Sequence, residues 1–188
     1  REWNKATMSQ LPAALENLLH ELARLPGIGR RAAERLAIHL LEAPEERARS
    51  LSEAIVNLRV EVHPCPICGN WASAGNPCDI CEDPVRRNGQ ICVIEKPSDL
   101  WAFEQSEAFA GRYHVLGGTL CPMAGVTADD LSIDDLERRI REESVTELII
   151  ATNPSVDGDA TAHYLARRFA PLGITISRIA HGVRLGGP

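Results

Sequence analysis

The stretch CPICGNWASAGNPCDIC, residues 65–81, sets two Cys-x-x-Cys pairs, Cys65 with Cys68 and Cys78 with Cys81, nine residues apart. Turn-forming proline, glycine and asparagine residues beside each pair allow both of its sulfurs to reach one ion. Two such pairs place four thiolates at the corners of a tetrahedron, the arrangement that Zn²⁺ prefers. Because four protein ligands leave no open position, the motif predicts a structural zinc site rather than a catalytic one. The alternatives are two disulfides or four buried thiols.

Composition indicates a reduced compartment. The other two cysteines, Cys92 and Cys121, have no partner at a motif spacing. No apolar run approaches the roughly 20 residues that span a bilayer, and no secretory signal opens the sequence. We therefore expect a cytoplasmic protein that does not bind membranes. The net charge of −6 over 188 residues means that any nucleic-acid binding must use a local basic patch.

Apolar spacing divides the rest of the chain into a helical part and an alternating part. Before the cysteines, it predicts helices from residue 12 to about 24, from the turn at 25–29 to about 44, and over 51–62. After the cysteines, short apolar runs predict strands at residues 91–94, 113–116, 148–151 and 174–177. Helical segments fall between them at residues 98–105, 132–143 and 159–169. This alternation is typical of an α/β domain with a mainly parallel sheet.

The turn Leu25-Pro26-Gly27-Ile28-Gly29 joins the first two predicted helices. Such a Gly-x-Gly turn leaves unpaired backbone N–H groups at the start of the second helix, where the helix dipole favours an anion. Glycine lets the backbone approach that anion closely. The turn therefore predicts a seat for a phosphate group.

Arginines surround the same turn. Between residues 24 and 35 the chain carries four arginines against one acid, a local charge of +3. Arg31 and Arg35 share one helix face, beside an expected buried stripe of alanines and leucines. The pattern is typical of a helix-hairpin-helix that grips the DNA backbone without reading bases; the alternative is a plain helical hairpin with solvated arginines. The predicted DNA-binding residues are Arg24, Gly27, Gly29, Arg30, Arg31 and Arg35.

Three acids follow two of the predicted strands. Glu95 comes after the first strand, and Asp157 and Asp159 come after the third. Because the carboxyl ends of parallel strands open into one crevice, these carboxylates could together hold Mg²⁺. Alternatively, Asp159 caps the helix that follows and Glu95 is an ordinary acid at a strand end.

In this order, the motifs resemble the bacterial RecR family of recombination mediators. The resemblance rests on LPGIGRRAAERLAIHL at 25–40, the four-cysteine motif, the strand before Glu95, DGDATAHYL at 157–165 and ISRIAHGV at 176–183. It extends from about Leu11 to Gly187 and implies three regions. These are a helix-hairpin-helix DNA-binding region at residues 8–62, a zinc motif at 63–84 and a Toprim domain, the fold of topoisomerases and primases, at 88–188.

The resemblance implies a DNA-repair scaffold rather than an enzyme. Proteins of this family act with RecO and RecF to load the recombinase RecA onto single-stranded DNA, and they assemble into dimers and ring-like tetramers. In this interpretation the three Toprim acids form a docking surface for basic RecO. Family members usually read GVPVGG and continue into a tail that helps hold subunits together. Here residues 182–187 read GVRLGG and the sequence stops at Pro188, so we expect that tail to be absent.

The competing hypothesis is a Toprim nuclease or topoisomerase that uses the three acids with Mg²⁺. A topoisomerase needs a tyrosine nucleophile. The only tyrosines, Tyr113 and Tyr164, fall on apolar faces of predicted regular elements, where packing is the expected role. A further alternative is a zinc-ribbon adaptor that binds only proteins.

Overall fold

The computed structural model describes residues 11–179, so the first ten residues and residues 180–188, with the GVRLGG departure, lie outside the described part. The chain divides into two compact units, residues 1–58 and 59–188. The helices are α1 (Ala13–Ala23), α2 (Arg30–Glu42), α3 (Glu45–Glu61), α4 (Asp79–Glu82), α5 (Pro97–Gln105), α6 (Ile133–Glu142) and α7 (Val156–Phe169). The strands are β1 (Val62–Pro64), β2 (Trp71–Ser73), β3 (Gln90–Ile94), β4 (Arg112–Val115), β5 (Glu147–Ile150) and β6 (Thr175–Arg178).

The first unit contains the predicted helical hairpin. Between α1 and α2, the backbone N–H of Ile28 donates to the Leu25 carbonyl at 3.1 Å. Gly27 takes a φ of +79°, a left-handed conformation that costs glycine little. Gly29 is extended and forms the N-cap of α2. The turn therefore has the geometry that the Gly-x-Gly sequence predicts.

Burial in the first unit differs from the prediction. Ala33 and Ala37 are buried on α2, but Leu36 and Leu41 are 41% and 73% exposed, so the expected alanine–leucine stripe is only partly right. The third helix begins at Glu45 rather than near residue 51, and no residue of it is buried. It begins early because two glutamates in its first turn complement the positive end of the helix dipole. The leucines stay exposed because the described residues of this unit provide no second layer to cover them.

A four-stranded parallel sheet of order β4-β3-β5-β6 forms the second unit, as the alternating pattern predicts. The two faces of the sheet pack different helices. One face packs against α6 and α7 through Leu136, Ile140, Leu165 and Phe169. The other packs against α5 through Leu100. The strands β3 and β4 are buried along almost their whole length, whereas no residue of the edge strand β6 is buried.

The cysteine motif folds around a short antiparallel hairpin in which β1 pairs with β2. The sequence pattern did not predict these two strands, because each has only three residues and none of the six is fully buried. A backbone hydrogen bond of 2.8 Å, from the Val115 N–H to the Cys68 carbonyl, joins the cysteine loop to the end of β4. The zinc motif and the sheet are therefore parts of one packed unit.

The predicted sheet strands lie within one or two residues of the observed ones. The last helix departs further, since it begins at Val156 and not at Asp159. Its N-cap is Ser155, whose hydroxyl accepts from the Gly158 N–H at 3.0 Å. Asp159 is thus inside the first turn, and its predicted role as a cap is wrong. Within the described residues, no helix is long and apolar enough to cross a membrane.

Candidate metal centre and nucleic-acid interface

The four motif cysteines form one buried cluster. Each is at most 6% exposed, and their sulfur atoms all lie within 4.8 Å of one another. The Sγ atoms of Cys68 and Cys78 are 3.5 Å apart, and all four cysteines are free thiols, so the disulfide alternative does not hold. Among residues 11–179, this is the one group of three or more histidine, cysteine or acidic ligands with metal-binding spacing.

Local backbone geometry positions the sulfurs. The N–H of Gly69 donates to the Cys65 carbonyl at 2.9 Å, in a turn that gives Gly69 a φ of +76°. Two backbone N–H groups point at sulfur: that of Cys78 at Cys65 Sγ (3.3 Å) and that of Asn70 at Cys68 Sγ (3.5 Å). Such bonds stabilise thiolates, the form that binds a metal.

The protonation of the cluster also fits a metal site. A hydrogen bond to Cys78 raises the pKa of Cys68, with a further hydrogen bond to Cys81 and burial acting in the same direction. The same bond from Cys68 lowers the pKa of Cys78. The shared hydrogen bond therefore keeps the proton on Cys68 and favours the thiolate at Cys78, and a bound metal ion takes the place of the remaining protons. Four sulfur donors complete the tetrahedral shell of Zn²⁺, which makes this a structural zinc site.

The predicted DNA-binding residues lie together at the turn between α1 and α2. Arg24 is the C-cap of α1 and lies 3.3 Å from Glu21, and Arg30 opens α2 and bonds Glu34 at 3.0 Å. These two arginines are partly neutralised by their partners. Arg31 and Arg35 are exposed and have no acidic partner within the described residues.

The start of α2 itself favours an anion. Its N-cap, Gly29, provides no capping side chain, and the first turn contains no acid. A Cβ added at Gly27 or Gly29 would meet nothing within 4 Å, so the space in front of the turn is open. An open helix N-terminus flanked by arginines can hold a phosphate group.

The three predicted acids do not come together as one ligand set. Glu95 directly follows β3 and is buried; its two oxygens accept from the backbone N–H and the side-chain amide of Asn153, both at 2.7 Å. Asp159 pairs with Arg178 on β6. Asp157 lies in the first turn of α7, where its carbonyl accepts from the Thr161 hydroxyl at 2.6 Å. Within the described residues, the oxygen atoms of these three carboxylates do not lie close enough together to hold one metal ion.

Two asparagines matter at these sites and were not singled out from the sequence. Asn153 holds Glu95 at the carboxyl ends of β3 and β5, and Asn70 packs against the cysteine sulfurs. The position of Asn153, three residues after an apolar strand, is a signal that could have paired it with Glu95. Asn70 gave no such signal, because asparagine is common in turns for other reasons.

Family models match nearly the whole described chain. Residues 15–59 match the RecR helix-hairpin-helix, residues 62–83 the RecR zinc finger domain with four cysteine ligands, and residues 89–180 the Toprim domain. The geometry and these matches define a protein that combines a helix-hairpin-helix, a closed four-cysteine zinc finger and a Toprim domain.

Proteins similar to this chain agree with these family models. A "Recombination protein RecR" from Desulforudis audaxviator (strain MP104C) is 48% identical over 177 residues, 94% of this chain and 89% of the relative. Those of Thermobifida fusca (strain YX) and Streptomyces coelicolor are 46% and 45% identical, over 93% and 92% of this chain and 87% and 86% of the relatives. The chain belongs to the RecR family of recombination proteins. Its relatives are named for a recombination protein and not for an enzyme, which agrees with the expectation that it is not a catalyst.

Proposed function

We propose that this protein is a cytoplasmic scaffold for recombinational DNA repair. It binds DNA without sequence preference through the α1–α2 turn and acts with RecO and RecF to load RecA onto single-stranded DNA. The observation that carries the proposal is the pair Arg31 and Arg35, exposed beside the open N-terminus of α2 in a chain of net charge −6. In an acidic protein, such a patch favours contacts with the phosphate backbone.

Self-association is part of the same proposal. On α3, Leu51, Ile55 and Leu58 are 44%, 61% and 61% exposed, and none of the helix is buried. Apolar side chains grouped in this way are typical of a surface that another protein covers. A second copy of the chain is the proposed cover, as in the dimers and tetrameric rings that the resemblance implies.

The three acids Glu95, Asp157 and Asp159 are proposed to dock RecO. Asn153 holds Glu95 through two hydrogen bonds, and Arg178 forms an ion pair with Asp159, so both carboxylates already bind protein groups. This arrangement supports a fixed acidic surface for a basic partner better than a pair of metal sites, because catalytic ions need free carboxylate oxygens that converge. We therefore do not extend the proposal to Mg²⁺.

A reconstituted assay of RecA loading tests the proposed function. RecA filaments are assembled on single-stranded DNA coated with single-strand-binding protein, with RecO present and this protein added last. The wild-type protein should shorten the delay before filaments form. An Arg31→Glu, Arg35→Glu variant should not, because it cannot hold the DNA backbone. If that variant loads RecA as well as the wild type, the α1–α2 turn is not the DNA site.

The RecO surface has a separate test. Asp157→Ala should weaken the binding of RecO and leave the binding of DNA unchanged, because Asp157 lies in the first turn of α7 and not in the α1–α2 hairpin. Asp135→Ala, which removes an exposed acid from α6, is the matched control and should leave both unchanged. Equal RecO binding by the wild-type and Asp157→Ala proteins would show that the partner docks elsewhere.

A further inference from the structure

A second cluster of charged side chains lies in the Toprim region, at the edge of the sheet opposite to Glu95 and Asn153. Arg112 opens β4 at the amino end of the parallel strands, and Glu143 directly follows α6. Arg139, one helical turn before Glu143, completes the cluster. The side chains of Arg112 and Arg139 are only 9% and 4% exposed. The function proposed above uses none of these three residues.

Both arginines contact the same carboxylate. Glu143 Oε2 lies 2.7 Å from Arg112 Nη2 and 3.3 Å from Arg139 Nη2, and Glu143 Oε1 accepts from Arg139 Nε at 2.9 Å. Two buried positive charges therefore face one negative charge. The negative end of the α6 dipole supplies roughly half a charge and does not make up the difference. Asp135 of α6 does not supply it either, because Asp135 already pairs with Arg138 at 2.7 Å.

The two arginines differ in how well their N–H groups are satisfied. Arg139 also donates through Nη1 to the Tyr113 carbonyl at 2.8 Å and to His114 Nδ1 at 3.2 Å. Arg112 contacts Glu143, and the other N–H groups of its guanidinium have no hydrogen-bond partner within the described part of the chain. None of these nitrogen atoms is completely sealed from solvent. Unused donors of Arg112 therefore face a small opening at the surface.

This arrangement favours an anion. Burying a charge without full pairing is costly, so an arginine that is nine-tenths buried and has unused donors calls for a further acceptor. The guanidinium presents its donors in a planar fork that matches the oxygen atoms of an oxyanion. Because both arginines are nearly buried, the opening suits a small free ion better than the backbone of a DNA strand.

We propose that Arg112, with Arg139 behind it, forms a binding site for a small oxyanion such as inorganic phosphate. The ion supplies the negative charge and the acceptors that Glu143 alone does not provide. Glu143 positions the two guanidinium groups and, because it carries a like charge, weakens the binding of the ion. Binding joins the start of β4 to the end of α6 and stabilises the Toprim region when phosphate is present.

The test compares the zinc-loaded wild-type chain with Arg112→Gln, Arg112→Lys, Glu143→Gln and Arg138→Gln. Glutamine at position 112 removes the charge, and lysine keeps the charge but removes the fork. Arg138, an exposed arginine of α6 that pairs with Asp135, provides the matched control. The binding of inorganic phosphate is measured by isothermal titration calorimetry. The midpoint of thermal unfolding is measured in phosphate and in chloride at equal ionic strength.

The wild-type chain should bind phosphate at one site. At about ten times the dissociation constant, phosphate should raise the unfolding midpoint by about 3–6 °C relative to chloride. Arg112→Gln should weaken phosphate binding by about 10-fold or more and lose this rise, because the charge-assisted hydrogen bonds are gone. Arg112→Lys should fall between the two, and Arg138→Gln should match the wild type.

Glu143→Gln gives the opposite prediction, which a purely structural ion-pair cluster does not make. Glutamine keeps the shape and one acceptor but removes the charge that repels the ion. Phosphate should therefore bind about 10-fold more tightly than to the wild type. Phosphate should also restore the stability that this variant loses in chloride.

Three results would overturn the proposal. The first is a wild-type chain that neither binds phosphate nor gains stability from it relative to chloride. The second is an equal gain in the wild type and Arg112→Gln, which would mark a general effect of the salt on the protein surface. The third is a destabilised Glu143→Gln that phosphate does not restore. If Arg112→Gln or Glu143→Gln does not fold in either buffer, Arg112→Lys decides: weaker phosphate binding supports the proposal, and wild-type binding contradicts it.

Discussion

His114 lies buried in β4, with a donor on one side and an acceptor on the other. Its Nε2 donates to the Ser132 carbonyl at 2.7 Å, which leaves Nδ1 to accept from Arg139 Nη1 at 3.2 Å. Arg139, itself 4% exposed, pairs with Glu143 at 2.9 Å. Burial and then the charge of Arg139 lower the pKa of His114 to about 4, although Asp135 and Glu143 act in the opposite direction. The neutral imidazole is therefore part of the folded state.

Because His114 is buried in its neutral form, we expect the folded protein to lose stability in acid. The folded-state pKa lies below the unfolded value of about 6.5, so the unfolded chain binds the extra proton first. Neutral His114 contributes its full share of the folding stability above about pH 6.5, and this share is lost as the pH falls toward 4. The loss is about 3 kcal/mol at most. Urea unfolding at about pH 7 and about pH 5 measures it. His114→Gln should reduce the difference between the two pH values.

The exposed His163 in the same domain provides the control. His163→Gln should keep the wild-type pH dependence, and any loss of zinc in acid affects both variants alike. If His114→Gln and His163→Gln respond equally to pH, the buried histidine does not set the acid limit of this domain.

At the residue scale, the sequence predicted the cysteines well and their neighbours poorly. The spacing of Cys65, Cys68, Cys78 and Cys81 is enough to imply that they bind one metal ion. Few other structures require two Cys-x-x-Cys pairs at this separation. The roles of Asn70 and Asn153 depend on which strands and loops meet, and a chain read in order does not show that. Arg178, the partner of Asp159, was missed for the same reason.

The zinc loop lies against an edge strand of the sheet. β4 is the outer strand of the order β4-β3-β5-β6, and its Val115 N–H bonds the Cys68 carbonyl. A side chain at Gly69 would bring its Cβ to 3.2 Å from Val115 Cβ, so the loop and the strand are in close contact. Open strand edges are sites of unwanted pairing. The zinc loop protects part of this edge, and we therefore expect metal binding to stabilise β4.

Removing one ligand should expose that coupling. Cys68→Ser should lower zinc affinity strongly, since only three of the four thiolate ligands remain. The Val115 amide should then exchange its hydrogen with solvent faster, because the carbonyl that holds it loses its fixed position. Metal analysis and hydrogen exchange check the two effects.

Cys121→Ser is the control, since Cys121 lies outside the zinc cluster and is only partly buried. It should keep one zinc per chain and slow exchange at Val115. Slow exchange at Val115 in a Cys68→Ser protein that has lost its zinc would show that β4 does not depend on the metal.

At the element scale, the sequence predicted long periodic segments better than short ones. The four sheet strands each contain apolar residues bounded by turn residues and were placed within one or two residues. The β1–β2 hairpin was missed because three residues give no alternation to recognise. The exposed leucines of α2 were expected to be buried, because apolar periodicity does not distinguish a core from a surface that a partner covers.

The whole molecule combines an acidic overall charge with a basic turn. A net charge of −6 repels DNA in general, so we expect DNA binding to use the turn between α1 and α2, where residues 24–35 carry four arginines against one acid. The Toprim region, in contrast, holds its acids in hydrogen bonds and ion pairs. The distribution suits a scaffold that contacts DNA at one place and protein at another.

The same distribution predicts that the pure protein does not cut DNA. Phosphoryl transfer needs carboxylates that fix the ions and a positioned nucleophile. Tyr113 is fully buried and donates to Glu104 at 2.8 Å, and Tyr164 packs against the core. Supercoiled plasmid incubated with the protein and Mg²⁺ or Mn²⁺ should remain supercoiled. Nicking by the wild type that disappears in Asp157→Ala would identify the protein as an enzyme.

The most direct measurement of the central claim is the salt dependence of DNA binding, followed by fluorescence anisotropy on a single-stranded oligonucleotide of mixed sequence. Affinity should fall steeply between about 50 and 200 mM salt, with a slope reduced by about 0.7 for each phosphate contact removed in Arg31→Glu, Arg35→Glu. The control Arg138→Glu, Arg141→Glu changes two exposed arginines of α6 by the same charge and should bind more strongly than the turn variant. Equal loss of affinity in both variants, with native circular dichroism, would contradict a DNA site at the α1–α2 turn.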